Sequence, residues 1–184
     1  MNITRIRFIT IFILIILFPA FSYADGTAGY ALIITIDGLR PDAIDKAEAP
    51  NLSSLIKKGS YTPVAKTDEQ AKTLPSHTSL VTGLTSKRHG MTRNKYTPGL
   101  GHTEFETIFT VAKKSGLGTA MFVGKDKLSY LNIPGSVDRY VSTNMSEDSI
   151  RRITQSYSSY TKEHKPAVTL IHFPCPDLTG HPKG

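Results

Sequence analysis

Residues Tyr30 to Ile36 read Tyr-Ala-Leu-Ile-Ile-Thr-Ile, an unbroken apolar and β-branched run. Such a run marks a strand covered on both faces of a sheet, because a half-exposed strand would alternate polar with apolar residues. It ends in Asp37-Gly38, a carboxylate followed by a residue that lets the chain turn sharply. Open α/β sheets bind ligands outside the carboxyl ends of their central strands, so the position of Asp37 matters as much as its charge. Ala167 to Phe173 (Ala-Val-Thr-Leu-Ile-His-Phe) is a second run of the same kind.

Between these two runs, helical and extended patterns alternate. Arg40 and Asp42 open a helical segment after the first strand, and Pro50-Asn51 leads into a short amphipathic helix over Leu52–Gly59, with Lys57 and Lys58 in its last turn. Tyr61 to Thr67 is expected to return as a strand or extended segment. Pro75 suits a first helical position, and Gly83 closes the run that follows it. Thr103 and Glu106 have capping-box spacing for a helix running to Ser115 and stopped by Gly116. Leu117–Val123 reads as the next strand, ending in Gly124, followed by a helical turn at Asp126–Leu131 and a strand at Asp138–Ser142. Asn144 and Glu147 are spaced to cap the longest helix, Met145–His164, with Ile150, Ile153 and Tyr157 on one face. The alternation predicts a layered α/β/α domain on a mostly parallel central sheet, and 184 residues suffice for one such domain.

The first two dozen residues stand apart. Arg5 and Arg7 form a positive head, Phe8 to Phe18 is almost purely apolar, and Ser22-Tyr23-Ala24 offers small residues where a signal peptidase reads. A secretory leader over residues 1–24 is expected, placing the remainder (25–184) in the periplasm or outside the cell. The apolar stretch is shorter than the roughly 20 residues of a spanning helix, which disfavours a retained anchor. Basic residues outnumber acidic ones by 22 to 15, but they are scattered, without the aromatic interleaving of a nucleic-acid surface. Cys175 is the one cysteine, so the chain cannot form a disulfide within itself, and any metal site must use oxygen and nitrogen ligands.

Several positions could carry chemistry. Thr73 stands two residues before Pro75, at a helix start, where backbone N–H groups and the positive end of the macrodipole favour an anion. It reads equally as a helix cap or as a group that attacks a phosphate. Asp37 either caps the turn after its strand or binds a ligand there. Asp177 and His181 follow the last strand, as loop polar groups or as metal ligands. Asn94 is a turn residue on its own merits. His77 and His89 read as structural, bonded to backbone. Carboxylates and imidazoles suit a zinc-like cation, and two such ions about 3.5–4 Å apart can clamp a phosphoryl group.

The ordered set Ile-Thr-Ile-Asp37-Gly-Leu-Arg-Pro-Asp, Ala-Pro-Asn-Leu52, Lys-Thr73-Leu-Pro-Ser-His-Thr-Ser-Leu-Val-Thr-Gly83, His89-Gly-Met-Thr-Arg-Asn94 and Pro-Asp177-Leu-Thr-Gly-His181 resembles the type I phosphodiesterase/nucleotide pyrophosphatase family of the alkaline phosphatase superfamily. The resemblance implies an alkaline-phosphatase-like fold and a zinc-dependent hydrolase of small phosphate esters rather than of nucleic acid. It further implies Asp37 and Thr73 on one zinc, Asp177 and His181 on the other, and Asn94 on a non-bridging phosphate oxygen. Thr73 would attack phosphorus and form a covalent phospho-threonine. Family members continue to an Asp-His pair and a further histidine that complete both metal shells. The expectation is therefore an N-terminal portion of such an enzyme, incomplete at its C-terminus and weakly active or inactive by itself. Two alternatives remain, a phosphomonoesterase of the same superfamily and a secreted, non-catalytic anion-binding remnant. A threonine at the nucleophile position argues against a sulfatase.

Overall fold

A computed structural model describes residues 29–146 and 148–180. The expected leader, Glu147 and the stretch 181–184, including His181, lie outside the described residues. Four strands, β1 (Ala31–Ile36), β2 (Thr119–Val123), β3 (Arg139–Ser142) and β4 (Val168–Phe173), form one sheet in the order β1-β4-β2-β3. Every pairing is parallel. Thr35 of β1 and Val123 of β2 both pair with His172 of β4, which sets the three strand ends side by side.

Side chains alternate across the sheet and build two cores. Met121, Val123 and Leu170 pack with Leu74, Val81, Phe109 and Leu128 on one face. That face is covered by α3 (Thr73–Thr82) and, past the short α4 (Ser86–His89), by α5 (Ile108–Lys114). Ala120, Phe122 and Ile171 pack with Ile153 on the other, under α6 (Asp148–Glu163). The Phe122 ring meets Tyr157 edge-on, 5.8 Å between centroids and 84° between planes. Helices on both faces of a parallel sheet make the α/β/α layering expected from the sequence. β2 is buried at all five positions, which is why its sequence shows no alternation.

The local differences have physical reasons. β1 is an edge strand, with Leu32 and Ile34 42% and 49% exposed. Its unbroken apolar run therefore does not report burial on both faces among the described residues. α6 lies over β2, β3 and β4 and stops short of β1. Residues 61–67 form no strand. Two short helices, α1 (Pro41–Lys46) and α2 (Pro50–Lys58), occupy the stretch after β1.

The capping box belongs to Thr107 and Thr110, whose side chains and backbone N–H groups bond reciprocally, not to Thr103 and Glu106. The helix consequently starts four residues later than the Thr103 spacing implied, and Glu106 pairs instead with Lys114. α6 begins at Asp148 rather than Met145; Ile153 is buried and Tyr157 half-buried, but Ile150 faces outward.

Candidate active site

Three strand ends and one helix start meet at the carboxyl edge of the sheet. Asp37 follows β1 directly, and its N–H continues the ladder by donating to the Phe173 carbonyl at 2.9 Å. The next residue, Gly38, has φ +77°. A Cβ there would lie 2.7 Å from the Asp177 nitrogen and 2.8 Å from its Cα, so only glycine fits. The closeness lets the Asp177 N–H donate to the Asp37 carbonyl at 2.9 Å, which brings α7 (Cys175–Gly180) against the end of β1.

Thr73 is the first residue of α3, and Pro75 is the third; the helix starts two residues earlier than the proline suggested. Proline is tolerated there because its missing N–H would have had no partner within the helix. The Thr73 hydroxyl does not cap the helix. It donates to Asp37 Oδ2 at 2.8 Å. Asn94 Oδ1 instead accepts from the Leu74 N–H at 3.1 Å, which leaves the NH2 end of the Asn94 side chain for another acceptor.

Lys125 closes the site. It sits two residues past β2 and is 4% exposed. Its Nζ lies 2.5 Å from Asp37 Oδ2, 2.6 Å from Asp177 Oδ2 and 3.3 Å from Thr73 Oγ1. Burial alone would raise the Asp37 carboxyl, but contacts from His172, Lys125 and Thr73 hold it well below the usual carboxylate range. Burial likewise disfavours the Lys125 charge, and the bonds to Asp177 and Asp37 outweigh that and raise it above the ordinary value.

Two histidines stand under this cluster. His77, four residues along α3 from Thr73, donates from Nδ1 to the Thr73 carbonyl at 2.8 Å. In its neutral form Nε2 is then an acceptor, and it meets the Thr35 hydroxyl at 3.0 Å. Burial, with His172 beside it, pushes His77 down to about 4. His172 is fully buried. Its Nδ1 shares the Gly124 N–H with the His172 carbonyl, at 3.3 Å and 3.1 Å. The proton of neutral His172 is thereby assigned to Nε2, which faces Asp37 Oδ2 from 3.6 Å, just beyond hydrogen-bond length.

The arrangement places three of the expected residues, Asp37, Thr73 and Asp177, around one point, with Asn94 at the adjoining helix end. His181 is outside the described residues. Lys125 and His172 are the two members the sequence reading missed. A signal for Lys125 existed, since it follows Gly124 at the end of a buried strand just as Asp37 ends β1. His89 is bonded to backbone, as expected: its Nδ1 accepts from the Met91 N–H at 3.0 Å, so Nε2 carries the proton toward Ser79 Oγ at 2.9 Å. That tautomer cannot take a proton from Ser79.

Among the described residues no group of three histidine, cysteine or acidic side chains could hold a metal ion. Two carboxylates and a hydroxyl nevertheless converge on one positive charge, the Lys125 ammonium, so the donor set suits a cation. An open recess of about 620 Å³ near Gly118, His164 and Lys165 lies at the strand starts, the wrong end of a parallel sheet for a ligand.

A family model described as type I phosphodiesterase / nucleotide pyrophosphatase matches residues 31–184. The chain belongs to this family. Among curated members of the type I phosphodiesterase family, the bis(5'-adenosyl)-triphosphatase enpp4 of Mus musculus is 26% identical over 180 residues, covering 88% of this chain and 39% of its own length. Family member 1 of the Homo sapiens ectonucleotide pyrophosphatase/phosphodiesterases is 28% identical over 172 residues, covering 83% and 18%. The chain thus spans well under half the length of these relatives. Among solved structures, an inactive variant of murine ectonucleotide pyrophosphatase/phosphodiesterase 5 in complex with AMP superposes with a TM-score of 0.67 at 22% identity, covering 83% of this chain and 45% of that one. Phosphonoacetate hydrolase from Sinorhizobium meliloti, in complex with phosphonoformate, gives 0.65 at 20% identity, covering 81% and 47%. At these identities the structural likeness establishes the fold.

Proposed function

We propose that the chain carries a phosphoryl-transfer site in which the Thr73 hydroxyl attacks the phosphorus of a small phosphate ester, a phosphodiester or nucleotide pyrophosphate. One observation carries the proposal: a buried alcohol at a helix N-terminus, 2.8 Å from Asp37 Oδ2 and 3.3 Å from the Lys125 ammonium. The family supports phosphoester chemistry. A relative named bis(5'-adenosyl)-triphosphatase and a neighbour solved with AMP support a nucleotide-like substrate.

Asp37 accepts the Thr73 proton in its hydrogen bond, but a carboxylate held so far below its ordinary range is a weak base. Loss of that proton near neutral pH therefore depends on positive charge beside the oxygen. Zinc, held by Asp37 and Thr73 at one position and by Asp177 and His181 at the other, would supply that charge and polarise a phosphate oxygen. Asn94 donates from its NH2 end to a non-bridging oxygen, where negative charge grows in the transition state. In the first step the Thr73 Oγ–P bond forms, the ester oxygen leaves, and that oxygen ends as the protonated alcohol. Water then cleaves the phospho-threonine, restoring the hydroxyl and releasing the phosphate product.

Residues 25–184 form the N-terminal portion of the hydrolase domain in this reading, exported by the leader at 1–24. Asp177 and His181 are one short of the three protein ligands usual at a catalytic zinc. A complete metal shell in this reading therefore draws on donors beyond these two.

The test is trapping. The chain is incubated with zinc and bis(p-nitrophenyl) phosphate, quenched in acid and digested for mass spectrometry. A nitrophenyl-phosphoryl adduct is expected on the peptide containing Thr73 and is lost in Thr73→Ala. Its absence from that peptide, or nitrophenol release that survives Thr73→Ala, refutes the assignment.

A further inference from the structure

Lys125 takes no chemical step in the proposed reaction, yet its ammonium is buried among the site's oxygens. An ammonium has three N–H donors. The oxygens within reach are also three, from Asp37, Thr73 and Asp177, and they come from the end of β1, the start of α3 and the first turn of α7. The lysine stem reaches them from beyond β2, across β4, which lies between β1 and β2 in the sheet. Two carboxylates this close repel each other unless a cation lies between them, and Lys125 is that cation.

We propose that the Lys125 ammonium is a resident counter-ion that holds Asp37, Thr73 and Asp177 together and must be expelled before a divalent cation can take its place. Zinc sits about 2.0–2.2 Å from a carboxylate oxygen. Lys125 Nζ already lies 2.5 Å from the Asp37 oxygen that would serve as donor. Two cations on one carboxylate oxygen, facing the same hydroxyl, would stand close together in a mostly buried cluster, where their repulsion is little screened. Occupation is therefore exclusive. Lysine suits the exchange because its charge rides on a flexible four-carbon stem, so Nζ can leave without movement of the strand. The site is thereby pre-assembled without metal, at the cost of weaker metal binding.

The inference rests on Asp37, Thr73 and Asp177 forming a cation site, and the test keeps the two apart. Zinc affinity of the full chain and of Lys125→Met is measured by competition with a chromophoric chelator. In parallel, labelling of Lys125 in the unaltered chain by acetic anhydride is followed by peptide mass spectrometry with and without zinc. Removal of a close buried charge partner changes binding by at least about tenfold. Lys125→Met should therefore bind zinc at least about tenfold more tightly. Lys125 itself, protected without metal, should label several-fold faster once zinc is bound. Equal affinities in the two proteins, or zinc binding that leaves Lys125 protected, overturn the exchange and leave the cation site standing. Zinc binding to neither protein overturns the cation site itself. The labelling arm needs no variant, so it decides the matter even if Lys125→Met fails to fold.

Discussion

Gly38→Ala tests whether the close approach of the β1 end to α7 assembles the site. The alanine Cβ would sit 2.7 Å from the Asp177 nitrogen and 2.8 Å from its Cα, both backbone atoms, at φ +77°. Left-handed φ costs an L-residue about 1–2 kcal/mol. Overpacking against an immovable neighbour costs about 1–3 kcal/mol more. α7 has no buried residue, however, so it gives way rather than bearing the clash. What is lost is then the Asp177 N–H to Asp37 carbonyl bond, worth about 0.5–1.5 kcal/mol. The total comes to about 2–3 kcal/mol, a drop of about 5–10 °C in Tm for a chain of this length.

Gly135 supplies the control, because it has the same φ of +77° with nothing within 4 Å of its would-be Cβ. Gly135→Ala should show the backbone strain alone. Thermal denaturation of both variants, with hydrogen exchange of the peptide spanning 174–180, separates strain from contact. Gly38→Ala should melt lower than Gly135→Ala and should lose protection at the Asp177 amide. Equal melting of the two variants, with that amide still protected, would refute the argument that the close approach holds α7.

Three further outcomes follow from the geometry. Asn94→Ala leaves the Leu74 N–H without its cap and should cost about 1 kcal/mol in urea denaturation, and it should weaken adduct formation at Thr73. Thr107→Ala removes the true cap of α5 and should cost about 1–2 kcal/mol, whereas Glu106→Ala, which touches only an exposed lysine, should stay within about 0.5 kcal/mol. His77 is lowered from 6.5 to about 4, so the unfolded chain binds its proton first as pH falls. Stability from His77 is then complete above pH 6.5 and is lost as pH drops toward about 4. At about 1.4 kcal/mol per pH unit this loss is roughly 3 kcal/mol. Denaturation midpoints measured between pH 7 and pH 4 should show that slope, and His77→Gln should flatten it.

The layering was legible because the strongest local signal, apolar runs between helical patterns, marks β1, β2 and β4, the three adjacent strands of the parallel sheet. What those runs could not report was rank within the sheet. Tyr30–Ile36 and Leu117–Val123 are both apolar in sequence, yet among the described residues the first pairs on one side only and the second on both. The capping box failed for a related reason. Thr103 with Glu106 and Thr107 with Thr110 both offer oxygens three residues apart, and the choice falls where Phe109 and Ala112 can turn into the core. Local spacing leaves such ties, and burial breaks them.

The same distinction explains which site residues were readable. Asp37, Thr73 and Asp177 carry functional types at a strand end, a helix start and a post-strand turn, and a single sequence marks all three positions. Lys125 occupies an equivalent position after β2, but a lysine in a chain with scattered basic residues reads as surface. Its burial follows only from the strand order, which places the end of β2 one strand away from β1 with β4 between, within reach of both carboxylates. His172 was hidden for the opposite reason, since a polar residue inside a buried run reads as an interruption of the core. Its register opposite Thr35 and Val123 puts the imidazole beneath Asp37, where the proton assigned to Nε2 points at the carboxylate. A chemistry-bearing side chain at the carboxyl end of each of three adjacent parallel strands is thus a property of topology. Once the order β1-β4-β2 is known, Asp37, His172 with Asp177, and Lys125 have to meet.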